Sequence, residues 1–177
     1  MIKKINWEKN PPDRYSQRKL TGYIFKENDI EIGFFQIKGF LNREVTGKLF
    51  NCEIEFKDRY VENRKWFSPS TYTALSDTET KEYVAKITGS TSIKYWKNPI
   101  YKREIVTKED NYYIFQISNN NAAIVFEENS KTNLLNCFNP KSEKGELIFT
   151  DAINEAVLLA TFYILHQFME LKESTSG

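Results

Sequence analysis

Between Ala156 and Leu165 the chain runs Ala-Val-Leu-Leu-Ala-Thr-Phe-Tyr-Ile-Leu, with Thr161 as its one conventionally polar residue. A helix built from this run has no wet face, so it is either buried in protein or spans a membrane. A span takes about twenty mostly apolar residues. Here His166 and Gln167 break the run, and Glu155 and Glu170 bracket it. Burial inside the protein is the solution left. The pattern predicts one helix from Asp151 to Lys172. Thr150 or Asp151 is placed to cap it, because a short polar side chain accepts from the free amides of the first turn. Asp151 and Glu155 also put negative charge at the positive end of the helix dipole.

Upstream, from Leu20 to Phe149, the dominant period is two, with short apolar or alternating runs divided by turn residues. Leu20–Phe25 and Ile30–Ile37 read as a hairpin about Asn28-Asp29. Lys48–Lys57 reads as one alternating strand, with Phe50, Cys52, Ile54 and Phe56 facing the core and Glu53 and Glu55 facing water. Between Asp58 and Thr80 the pattern loosens into a long connection with one short strand at most. Strands are expected again at Glu82–Thr88, Ser92–Trp96, Ile100–Thr107, Tyr112–Ile117, Ala122–Glu127, Thr132–Phe138 and Leu147–Phe149, divided by Gly, Asn and Pro residues suited to turns. A helix wetted on no side must be surrounded, and these strands are the material available. The predicted fold is mainly β (α+β), a closed antiparallel barrel of about twelve strands around the C-terminal helix, which removes exposed edges and fills the interior. A sheet carrying the helix on one open face is the alternative, and it leaves Val157, Leu158, Phe162 and Leu165 partly wet. The expected organisation is a lead-in over 1–19, one domain over 20–172 and a tail over 173–177.

A length of 177 residues fits one core. With 25 Lys plus Arg against 24 Asp plus Glu, the net charge of +1 supplies no global field toward nucleic acid or an anionic membrane. An electrostatic site must therefore be a local patch. Lys3 and Lys4 precede no long apolar stretch, so no secretory signal is read and a cytoplasmic location is expected. The two cysteines, Cys52 and Cys137, lie beside apolar neighbours and read as ordinary buried thiols. No Cys-x-x-Cys or Cys/His cluster is present to hold a metal. The one histidine, His166, cannot by itself build a triad or a His metal cluster. It reads as a residue near the barrel mouth or bonded to a backbone group. Phosphate-binding glycine motifs are absent as well. The expectation is a protein without cofactor, catalytic residues or nucleic-acid partner, and a monomer.

Gly145, Leu147, Phe149 and Asp151, followed by the apolar run from Glu155 to Leu165, resemble the end of the tubby C-terminal-like superfamily, in particular its scramblase and LURP-one-related branch. The resemblance implies a barrel of about twelve strands enclosing the helix. It also implies a non-enzymatic module that binds a lipid or a partner. The tubby signature beginning Phe-x-Gly-Arg-Val is absent, so no phosphoinositide-binding residue carries over. The scramblase calcium segment, cysteine cluster and terminal span are missing too.

One surface segment stands out. Lys94, Tyr95, Trp96, Lys97, Tyr101, Lys102 and Arg103 gather cations and amphipathic rings around Pro99. Lys and Arg can meet phosphate oxygens while Trp and Tyr settle at a headgroup boundary. The competing reading is a solvated hairpin with cross-strand aromatic packing. A second basic stretch, Arg14–Lys19, reads as lead-in. Three functions follow: a module recognising an anionic lipid headgroup or membrane surface from the cytoplasmic side; a protein-interaction domain, such as an accessory or immunity-type bacterial protein; and an enzyme of unusual chemistry.

Overall fold

The alternation read from the sequence becomes twelve antiparallel strands closed into a barrel, each bonded to its neighbour in sequence, with the first and last completing the ring. This computed structural model describes residues 1–10, 20–39, 43–60, 71–89, 102–117, 122–127, 133–138 and 143–175. The strands are β1 (Ile2–Asn10), β2 (Leu20–Glu27), β3 (Ile30–Lys38), β4 (Glu44–Leu49), β5 (Cys52–Tyr60) and β6 (Thr71–Asp77), then β7 (Tyr83–Thr88), β8 (Lys102–Thr107), β9 (Tyr112–Ile117), β10 (Ala122–Glu127), β11 (Asn133–Phe138) and β12 (Lys144–Thr150). Among the described residues there is one helix, α1 (Glu155–Thr175).

Residues 1–19 read as a lead-in, yet Ile2–Asn10 is the stave that closes the barrel. It pairs with β12 from Ile2↔Thr150 to Glu8↔Lys144, and with β2 from Asn6↔Lys26 to Asn10↔Gly22. The run Lys48–Lys57 is also two strands rather than one. It turns at Phe50-Asn51, where Phe50 takes φ 52° and donates its amide to the Ile32 carbonyl at 2.9 Å. Phe50 is consequently exposed rather than in the core. The Asn28-Asp29 turn is as expected, with φ of 49° and 65°, values that Asn and Asp tolerate. The stretch read as a loose connection over Asp58–Thr80 holds the end of β5 and the whole of β6. The expected strand Ser92–Trp96 lies outside the described residues.

α1 fills the barrel. Every residue from Ala156 to Leu165 is buried, and Thr161 satisfies its hydroxyl by donating to the Val157 carbonyl at 2.8 Å. Phe162 sits at the centre, edge-on to Trp7, Tyr23, Phe25 and Phe35 with ring centroids 4.9–5.4 Å apart. Such aromatic pairs add about 0.5–1.5 kcal/mol each beyond burial. The helix starts later than the sequence predicts, and its cap is neither Thr150 nor Asp151. Asn154 is the cap, its Oδ1 accepting the Val157 amide at 2.9 Å. Asp151 lies in the preceding turn, 3.0 Å from Lys3 Nζ.

Candidate functional site

The antiparallel order gives the barrel two different ends. At the turn end, short turns join β2 to β3, β4 to β5, β6 to β7 and β8 to β9, and α1 begins. At the mouth, β3, β5 and β7 finish and α1 emerges, its apolar run giving way to half-buried residues from Gln167 to Glu170.

A cleft of about 470 Å³ opens at the mouth between β4, β5 and α1. It exists because two strands part. The β4–β5 ladder stops at Val45↔Phe56, while β5 continues with β6 as far as Tyr60↔Thr71. By register the next positions set Arg43 across from Asp58, but Arg43 turns to the helix and its Nη1 meets Glu170 Oε2 at 2.8 Å. Ile37, Val45, Phe56 and Tyr163 supply the apolar lining. Phe56 and Tyr163 are stacked, with centroids 4.8 Å apart and planes at 14°. The rim adds Lys57, Asp58, Arg59 and Gln167 to that Arg–Glu pair.

His166 is where the sequence puts it, near the mouth. It is 4% exposed, its ring lies against Tyr23 and Phe35, and its Nε2 is 3.9 Å from Glu170 Oε1. Burial pushes the Tyr163 phenol above its ordinary range, and the charge on Asp58 adds to that. Asp58 accepts a hydrogen bond from Thr73 Oγ1 at 2.7 Å. Lys57 is held by Glu55 at 3.0 Å and Lys48 stands 3.7 Å from Glu53; Glu53 keeps the exposure expected of a solvated charge, whereas the Glu55 side chain is only 18% exposed.

Of the residues singled out in the sequence, Lys94, Tyr95, Trp96, Lys97 and Tyr101 lie outside the described residues. Lys102 opens β8 opposite Gln116, at the mouth. Arg103 follows it, half-buried, and its Nη1 donates to the Gly89 carbonyl, fastening the start of β8 to the end of β7. Sequence reading did not find the cleft, whose residues come from β3, β4, β5 and α1. Its only local signals are the charged triplet Lys57-Asp58-Arg59 closing an apolar alternation and the polar break at His166-Gln167.

A second hollow, of about 460 Å³, lies against β1, β2 and β12. Of its charges, Lys26 pairs with Glu8, and Glu146 pairs with Lys4 outside the lining. Among the described residues no group of three or more His, Cys, Asp or Glu could hold a metal ion, and no helix is long and apolar enough to cross a membrane.

No curated protein and no solved structure matches the chain. The family described as the YLR108C C-terminal domain matches residues 27–176, which takes in every strand from β3 to β12 together with α1, and the chain belongs to that family.

Proposed function

We propose that this chain is a non-catalytic binding module, tubby-like and LURP-one-related in kind, that recognises a lipid headgroup at a membrane surface with the mouth of its barrel. The observation that carries this reading is the division of labour between interior and mouth. α1 occupies the interior, so a ligand is left with the outer surface, and the mouth has a cleft with Arg43, Lys57 and Arg59 on its rim. Lys102 and Arg103, the described end of the basic and aromatic segment, stand at that same end. The rim cations Arg43, Lys57 and Arg59 suit phosphate oxygens, and their attraction to an anionic surface is screened by salt. Vesicle flotation tests the proposal. The protein should rise with phosphatidylserine-containing vesicles at low salt, and Lys94→Glu, Lys97→Glu and Arg59→Glu together should leave it at the bottom. Wild-type protein that never floats would sink the reading.

A second reading, binding to one protein partner, draws on the opposite end. There Ile2 and Ile30 are 75% and 68% exposed, and Phe50 projects beside them from its turn. Asp29, Glu31 and Glu53 share that end. Exposed apolar residues among acidic ones fit a basic protein surface. Affinity capture from host extract should then recover one stoichiometric partner, lost on Ile30→Ser with Phe50→Ser.

A further inference from the structure

Most charges at the mouth cleft are answered within the protein. Arg43 and Glu170 answer each other, and Lys57 is answered by Glu55. Two neighbours on β5 are not. Asp58 and Arg59 form no ion pair among the described residues, and the hydrogen bond that Asp58 takes from Thr73 comes from an uncharged hydroxyl. They do not answer each other either: successive residues of a strand start toward opposite faces, and the edge of β5 that β4 leaves open lies between them. Nor does β4 cover them, since its ladder with β5 has ended at Phe56, two positions before Asp58. The cleft therefore offers one carboxylate and one guanidinium, held apart by the strand itself, beside the stacked rings of Phe56 and Tyr163.

We infer that this cleft takes a zwitterion, a small molecule or headgroup in which a cationic amine and a phosphate are a few bonds apart, the amine on Asp58 and the phosphate on Arg59. This rests on the headgroup reading and narrows it. A bare anion would meet Asp58 and Glu170 on the rim, and a bare cation would meet Arg43, Lys57 and Arg59. A molecule carrying both charges meets each with its opposite. Phosphate suits the site better than carboxylate, because its additional oxygens can accept from Arg43 or Lys57 while the Arg59 fork holds two. The aromatic face beside Asp58 favours the amine further, through attraction of a cation to the ring. The cleft volume falls within the range of small-molecule sites, about 300–1,000 Å³.

Titration calorimetry with O-phosphoethanolamine, inorganic phosphate and ethanolamine, at one ionic strength, tests this on the full chain. Phosphoethanolamine should bind at least about tenfold more tightly than either fragment. Asp58→Asn and Arg59→Gln should each remove that advantage while leaving the melting temperature unchanged, both positions being exposed. In a parallel NMR titration of the wild type, the amides of Thr73 and Tyr163 should move. Phosphate binding as tightly as phosphoethanolamine, no phosphoethanolamine binding, or shifts confined to residues away from the mouth would each overturn the inference. Vesicles containing phosphatidylethanolamine separate a lipid source from a free one. Flotation is read independently: protein that floats on anionic vesicles but ignores phosphoethanolamine refutes this site alone. Protein that binds phosphoethanolamine and never floats refutes the membrane reading and keeps the site for a free ligand.

Discussion

Leu159 occupies the space that a side chain at Gly47 would need. A Cβ placed on Gly47 would stand 3.0 Å from Leu159 Cδ2 and 3.3 Å from the ring of Phe35. The barrel wall is bare at that point so that the helix can lie close.

Gly47→Ala is therefore expected to destabilise by about 1–3 kcal/mol through overpacking. Gly33→Ala should cost more, because its Cβ would fall 2.1 Å from the Lys48 carbonyl oxygen, which is backbone and cannot swing aside. Urea denaturation of both variants gives the comparison, and equal losses would contradict it.

Removing the central ring should be worse than crowding the wall. Phe162 is fully buried against four aromatic rings, so Phe162→Ala is expected to cost about 3–5 kcal/mol. Leu159→Asp leaves an uncompensated buried carboxylate and should give no cooperatively folded protein. A soluble Leu159→Asp variant with a sharp thermal transition would be incompatible with an enclosed helix.

Asp77 organises the turn between β6 and β7. Its Oδ1 accepts from the amides of Thr80 at 2.7 Å and Glu79 at 2.9 Å, and from the Thr80 hydroxyl at 3.1 Å. The Thr80 amide, above all, holds its carboxyl below the usual range. A carboxylate with a depressed folded-state pKa contributes stability above its unfolded value, and that contribution disappears as pH falls through the folded value. The melting-temperature gap between wild type and Asp77→Ala should thus be constant near neutral pH and close below about pH 4. A gap that persists unchanged at pH 2 would assign the effect to something other than the ionised carboxylate.

Burial, followed by the charges of Glu155 and Asp77, pushes the Cys52 thiol up to about 11. Reaction needs the thiolate, although a more basic thiolate is the better nucleophile. In a Cys137→Ser background, iodoacetamide should modify folded protein at pH 8 at least roughly tenfold more slowly than denatured protein. The folded rate should keep rising past pH 10. A plateau near pH 9 would contradict that.

The helix and the closed barrel are legible in the sequence because an all-apolar run can satisfy its surroundings in few ways. Other elements are hidden for specific reasons. β1 turns only Ile5 and Trp7 inward between charged neighbours, too short an alternation to stand out. β4 and β5 merge because Phe50, in the two-residue turn, shares the even parity of Cys52, Ile54 and Phe56 and so looks like part of their face, although the inward residues of β4 are the odd-numbered Val45, Gly47 and Leu49. Asp151 has the chemistry of a cap, but Asn154 has the position. The mouth cleft is invisible for a different reason. Arg43, Asp58 and Glu170 are far apart in the chain, and only the parting of β4 from β5 brings them together.

The closed ring constrains the order in which this chain can assemble. A helix about 10–12 Å across with its side chains cannot be threaded through a finished ring. Whichever seam zips last must therefore close around a helix already in place, and the ring is complete only once β1 has met β12, even though α1 follows β12 in the chain. Folding then waits on an encounter between segments far apart in sequence, which is slow for strand-rich topologies. Until it happens, open strand edges flank an apolar helix, and such a partly closed chain is prone to aggregate.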